Sequence, residues 1–215
     1  MVLDSLPNAQ KVHLVGHDWG GIQSWESVTD AKIQTRLASF TCISAPCLDH
    51  MGFWLQQRLG IKAIGMKQIL RQLQSSWYIG LFQVPVIAPL LWRNLGAKIW
   101  PLMLKHKEKI NHAMPNPTQA QDGEYGVNLY KANILDRVLH PQERYTQVPV
   151  QVIIVKDDHF MIPEIWQGIE RWVASLSMIE MTGGHWLILD KPKEFAAHVQ
   201  NFVLSIEQTI SNDNF

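Results

Sequence analysis

The pentad Gly16-His17-Asp18-Trp19-Gly20 sets a carboxylate at the centre of what should be a sharp turn. The β-branched run Lys11–Val15 precedes it and a helix-compatible stretch, Ile22–Val28, follows, so strand, tight turn and helix succeed one another. Glycines at the first and fifth places, with Gly21 next, allow a strained and closely packed elbow that holds its middle residue out over the sheet edge. Where the common form of such an elbow has serine, this chain has Asp18. A carboxylate nucleophile forms an alkyl ester with an sp3 carbon, whereas serine forms an acyl-enzyme. The backbone N–H of Trp19, at a helix N-terminus, would point at the carbonyl oxygen of that ester. The competing reading is a glycine-rich turn in which Asp18 only caps the helix. His13 and His17 flank the elbow with no cysteine or carboxylate at ligand spacing, so they read as packing groups or as supports behind the site, and neither a metal nor a cofactor is expected.

The elements around the elbow must hold it over a sheet. Leu37–Ser44 is a second strand candidate, the almost wholly apolar Val150–Val155 a third and Ser177–Met181 a shorter fourth. Helical segments expected at Pro163–Ser175 and Pro192–Thr209 follow the last two, and this β-α alternation implies a parallel sheet. Between Pro46 and Pro149 the pattern is helical, broken by Pro85, Pro89, Pro101, Pro115 and Pro117. The expected division is therefore a core of residues 1–45 and 149–215, with residues 46–148 as a helical lid over the C-terminal strand ends, where α/β proteins place their sites. The Lys105–Lys109 charge cluster reads as a solvated helix face, and the polar end Ser211–Phe215 as frayed.

Composition narrows the function. Apolar residues make up 47% and charged residues 18%, which describes a soluble globular protein. Lys plus Arg and Asp plus Glu both number 19, and no basic run appears that would neutralise a nucleic-acid backbone. Cys42 and Cys47 are too close and too isolated for a disulfide framework or a four-ligand zinc site, so they read as packing residues in a reducing cytoplasm. Met1–Asn8 lacks the pattern of a secretory signal. The most apolar stretch, Tyr78–Trp92, contains Gln83, Pro85 and Pro89 and is shorter than the ~20 residues that cross a bilayer, so it would lie on a membrane surface or line an apolar pocket. Trp54, Trp77, Trp92 and Trp100, among nine tryptophans, favour an aromatic-lined site in mid-chain.

The string KVHLVGHDWGG resembles the elbow of epoxide hydrolases and haloalkane dehalogenases in the α/β-hydrolase superfamily. That resemblance implies an acid after the next-to-last strand and a histidine after the last. Lys156-Asp157-Asp158-His159-Phe160 follows the third strand and places the acid at Asp158, with Asp157 the alternative, and Thr182-Gly183-Gly184-His185-Trp186 follows the fourth and matches the family's histidine turn. Taken singly, each has a bland reading, a turn aspartate or a histidine at a seam; together they keep the nucleophile, acid, histidine order of the fold. His185 would activate water against the ester on Asp18, while Asp158 fixes its tautomer. In the lid, Ser76–Pro85 resembles the epoxide-hydrolase segment whose tyrosine precedes Phe-Gln, which implies a ring-opening acid at Tyr78, and Asn128–Asn133 resembles the segment bearing the second, Tyr130. Either tyrosine could instead be a packed ring with its hydroxyl in water. Tyr125 and Tyr145 read as structural, and Trp19, Trp77 and Phe82 are assigned to substrate binding and the oxyanion site.

The string Cys42–His50 is similar to bacterial epoxide-hydrolase-like domains fused to short-chain dehydrogenases, although the chain has no G-x-G-x-x-G turn. Complete family members carry four strands before the elbow, with a loop that supplies a second oxyanion donor, and here ten residues precede Lys11. A fragment is therefore expected, with part of the sheet absent, an exposed strand edge, and self-association or a partner covering that edge. Its activity would be weak or lost. The expected reaction is hydrolysis of a small hydrophobic epoxide to a vicinal diol. The alternatives are a haloalkane dehalogenase, in which the Trp19 indole would bind halide, and a non-catalytic fragment.

Overall fold

A computed structural model of the protein describes residues 2–7, 10–111 and 116–212. Pro115 and the last three residues of the expected frayed end lie outside them. Four parallel strands, β1 (Val12–His17), β2 (Leu37–Ile43), β3 (Val150–Val155) and β4 (Leu176–Met181), form one sheet in the order β1-β2-β3-β4. The central strands β2 and β3 are buried at every position, as their apolar runs require, and the outer strands are only partly covered. Among the described residues β1 pairs only with β2, and Val15 on it is 45% exposed.

Strand periodicity divides the core in two. Phe40, Cys42, Val150 and Val152 face one cluster with Trp25, Val28, Trp54 and Trp172, whereas Ile43, Ile153 and Val155 face a smaller one with Met181 and Leu187. Helix α1 (Trp19–Thr29) follows the elbow. The expected helix at Pro163–Ser175 does not form. Two single 3₁₀ turns, Pro163–Trp166 and Ile169–Arg171, replace it, because Gly168 sits at φ 94° and breaks the helical path while Ile165, Trp166, Ile169 and Trp172 turn inward. The terminal helix, found at Pro192–Asn212, takes Ser211 into its last turn. Its Glu207 meets His13 Nε2 at 2.8 Å, and His13 Nδ1 meets the Ser39 hydroxyl at 2.7 Å, which ties this helix to β1 and β2.

Every regular element described between β2 and β3 is helical: α2 (Leu48–Leu59), α3 (Lys62–Ser75), α4 (Trp77–Phe82), α5 (Ile87–Leu91), a π-helical turn (Trp92–Gly96), α6 (Ala97–His106) and α7 (Gln119–Leu139). The root of this insertion is held by Asp49, which is 1% exposed. Asp49 meets Arg137 Nη1 at 2.9 Å and Arg144 Nε at 3.1 Å, and accepts the Gln142 N–H at 2.9 Å. Glu26 of α1 meets both guanidiniums. Asp49→Ala would leave two arginines facing a hole, and we expect it to lower unfolding free energy by about 3 kcal/mol in denaturant titrations, the low end for a broken buried pair because both guanidiniums remain partly wet.

Lys105–Lys109 is not one solvated helix face. Helix α6 ends at His106, and Glu108 turns inward to 7% exposure while the neighbouring lysines stay out.

Candidate active site

The elbow is built as the glycines suggest, with one change of role. A Cβ on Gly16 would stand 2.5 Å from the Gly21 Cα, and one on Gly21 would stand 2.3 Å from the Ala45 Cβ, so these two glycines let β1, α1 and the end of β2 touch. Gly20, the fifth-place residue, is different: a methyl group added there would meet nothing within 4 Å. Gly20→Ala should therefore leave thermal stability unchanged or raised, since alanine favours the helix by about 0.5–1 kcal/mol. Gly21→Ala should cost about 1–3 kcal/mol by overpacking.

Asp18 occupies φ 50°, a conformation that non-glycine residues adopt rarely and that the packed elbow imposes. Its side chain makes no helix-capping hydrogen bond, which removes the N-cap reading. The carboxylate lies 3.5 Å from His185 Nε2. On the other side of the imidazole, Nδ1 lies 3.0 Å from Asp158 Oδ2, and Asp158 Oδ1 accepts the N–H groups of Phe160 and Met161 at 2.8 and 3.2 Å. Asp157 is exposed, so Asp158 is the aspartate that meets His185. Asp18, His185 and Asp158 thus stand in one line of charged contacts across the ends of β1, β3 and β4, hydrogen-bonded between His185 and Asp158.

This line sets the charges. Burial works against ionising Asp18, but the hydrogen bond and charge of His185, with help from the Trp19 N–H, hold its carboxyl below the ordinary value. Asp158 is likewise held low despite burial, by His185 and by the Phe160 N–H. Burial disfavours charge on His185 too, yet its hydrogen bonds to Asp158 and Asp18 outweigh that and raise it to about 10. The resting arrangement is an imidazolium between two carboxylates.

Tyr78 of α4 and Tyr130 of α7 come together above Asp18, with ring centroids 5.8 Å apart, and both line a cavity of about 50 Å³ with Asp18, Trp19, Phe160 and Met161. Burial raises both phenols, Tyr130 to about 12 and Tyr78 further, and the Asp18 charge adds to each. The Trp19 ring lies edge-on to Tyr130 at 4.9 Å. Phe82 packs behind the pair, 5.5 Å from Tyr78 and 4.9 Å from Tyr130, and does not line the cavity. Trp77 corrects the expectation placed on it: the turn that aims Tyr78 inward aims Trp77 outward, 71% exposed. Tyr125 and Tyr145 are 65% and 48% exposed and stand outside the cavity.

His17 donates from Nε2 to the His185 carbonyl at 2.9 Å, and burial keeps it neutral. Cys42 and Cys47 are buried free thiols; burial raises both, Cys47 to about 12. No group of three or more His, Cys, Asp or Glu among the described residues could hold a metal.

Three supporting residues escaped the sequence reading. Phe160 packs edge-on against both His185, at 4.7 Å, and Tyr78, at 5.5 Å. Gln72 of α3, 7% exposed, holds its loop by donating to the Phe160 carbonyl at 3.0 Å and accepting the Ile162 N–H at 3.0 Å. Glu108 accepts the Trp186 N–H at 3.3 Å and fills the space beside Gly184. The only sequence signal for Phe160 was its place two residues after Asp158; a glutamine on a lid helix and a glutamate in a lysine-rich run carried none. A wider groove of about 400 Å³ between α2 and the 3₁₀ turns shares only Met51 with the cavity at Asp18.

The chain resembles known proteins in sequence and in shape. The probable oxidoreductase EphD of Mycobacterium tuberculosis and that of Mycobacterium bovis are each 30% identical over 210 residues. That match takes in 94% of this chain, which spans about a third (35%) of the length of those relatives. A mutant epoxide hydrolase from Bacillus megaterium superposes with a TM-score of 0.68 at 20% identity, over 94% of this chain and 72% of that one. A Vigna radiata epoxide hydrolase mutant superposes with a TM-score of 0.66 at 18% identity, over 95% and 73%. These likenesses show the fold. The sequence profile of the alpha/beta hydrolase family matches residues 2–198, and with a parallel sheet, a strand-turn-helix elbow and the matching shapes, the chain belongs to the α/β-hydrolase family.

Proposed function

We propose that the protein hydrolyses a hydrophobic epoxide to a vicinal diol through an ester on Asp18. The observation that carries this reading is the pair of half-buried phenols facing a half-buried carboxylate across one small cavity. An epoxide oxygen leaves as an alkoxide within the same molecule and needs a proton, and a phenol that stays neutral can give one only to a much stronger base. In the first half-reaction Asp18 attacks a ring carbon, the C–O bond breaks, and Tyr78 or Tyr130 protonates the oxygen. The imidazolium of His185 then returns a proton to the tyrosinate. Esterification removes the Asp18 charge that held His185 protonated, so the neutral imidazole, oriented by Asp158, can take a proton from water. The hydroxide attacks the ester carbonyl, the acyl C–O bond breaks, and the released alkoxide takes the proton of the new carboxylic acid. The diol departs and the resting charges return.

In this reading residues 1–45 and 149–215 are the core and 46–148 the lid, and Trp19 serves the ester carbonyl through its backbone. A Bacillus megaterium epoxide hydrolase variant with 20% identity and a TM-score of 0.69 was solved with its product, a naphthyloxy-propane-1,2-diol, which supports an aryl-bearing substrate for the apolar cavity here. The dehalogenase alternative is weakened because the Trp19 indole packs edge-on against Tyr130 and two phenols line the cavity. A partner or second copy on the open edge of β1 remains part of the proposal, and the free thiols support a cytoplasmic setting.

The test is a single turnover of an aryl glycidyl ether in ¹⁸O-water with protein in excess. Label should enter Asp18, because water attacks the acyl carbon, and the diol should be unlabelled. Label in the diol with none in Asp18 would mean direct attack by water and would exclude the ester. Halide release from an aryl-alkyl bromide with no diol from the epoxide would favour the dehalogenase.

A further inference from the structure

The chain as a whole is neutral, yet its charge is unevenly placed. Between His50 and Lys107 there are eight Lys and Arg and no Asp or Glu, whereas the rest holds 11 basic against 19 acidic side chains. This cationic stretch also carries exposed apolar residues in register. On α3, Met66, Leu70 and Leu73 recur at i, i+4 and i+7 and are 44%, 58% and 60% exposed. From Ile87 to His106 the helical turns run on without a break, and Ile87, Leu91, Leu95 and Leu102 are each more than two-fifths exposed. Trp77 stands out from α4 between these two helical stretches. Lys62, Lys67, Lys98 and Lys105 are exposed on the same elements.

A nucleic-acid face would not display leucine and isoleucine in this number, and a solvated face would not display them in stripes. Lysines beside exposed leucine, isoleucine and tryptophan on amphipathic helices suit the boundary of an anionic bilayer, where the cations meet headgroup phosphates and the apolar chains enter the acyl region. No helix among the described residues is long and apolar enough to cross a membrane, so contact would be with one surface. We propose that the outer face of the inserted helices docks on an anionic lipid bilayer. Helix α4 then links the two faces of the insertion, with Trp77 toward lipid and Tyr78 toward the cavity.

The test is flotation of the full chain with vesicles, in the absence of any epoxide, so that it reads independently of hydrolysis. Vesicles of phosphatidylcholine mixed with phosphatidylglycerol should carry the protein about tenfold better than phosphatidylcholine alone, and high salt should reverse the difference. Lys62→Gln, Lys67→Gln, Lys98→Gln and Lys105→Gln combined should lose about tenfold in bound fraction, and so should Leu70→Ser, Leu91→Ser and Leu95→Ser combined, with circular dichroism unchanged in both. Brominated acyl chains should quench wild-type fluorescence more than that of Trp77→Phe. Failure to float with either vesicle, or equal flotation with both, would overturn the proposal. So would a second copy on this face, seen as dimers in sedimentation that the apolar variant dissolves.

Discussion

His185→Gln is expected to abolish turnover, by about 10³-fold or more, while leaving the protein able to acquire the mass of its substrate on Asp18. On the proposed mechanism the two half-reactions use His185 differently. Attack on the epoxide needs an ionised Asp18 and a phenolic proton, and glutamine can still donate a hydrogen bond toward that carboxylate. Hydrolysis of the ester needs a base, which glutamine is not. Intact-mass measurement after incubation with an aryl glycidyl ether should show one adduct, and peptide mapping should place it on Asp18. Asp18→Asn should show neither adduct nor diol. A His185→Gln protein that folds and gives neither would remove the ester mechanism, whereas full turnover would remove His185 as the base.

Replacing both phenols, in Tyr78→Phe with Tyr130→Phe, should lower single-turnover ester formation by about 10²–10⁴-fold, the span of general acid catalysis. Both rings remain, so the apolar packing with Phe82 and Phe160 is kept. Each single variant should lose less than the pair, because the remaining phenol still faces the cavity. Partial burial raises both phenols, Tyr130 to about 12, so neither should deprotonate near neutral pH and the loss should be independent of pH from 6 to 9. Loss from the double variant no larger than a few-fold would mean that the alkoxide is protonated by water instead. Monitoring ester by mass in the His185→Gln background separates this step from hydrolysis.

The elbow was legible because its residues are local: strand, glycines, carboxylate and helix lie within 20 residues, and each states its own backbone requirement. The parallel strands were legible for the same reason, through apolar runs that only burial on both faces explains. Asp158, His185 and the two tyrosines were readable only by likeness to a family, since nothing near any of them in the chain demands a charged line or a shared proton.

What the sequence by itself determined is the set of local shapes: the turn that holds Asp18, the parallel strands, and the helical character of the insertion. Tertiary structure alone decided which groups meet. It chose Asp158 over Asp157, sent Trp77 outward, moved the close-packing role from Gly20 to Gly21, and replaced one expected helix with two turns around Gly168. The reason is physical: strand and turn signals arise from neighbours a few residues apart, whereas burial, pairing and proton affinity depend on side chains as far apart as Asp18 and His185, which come within 3.5 Å only when the sheet has formed.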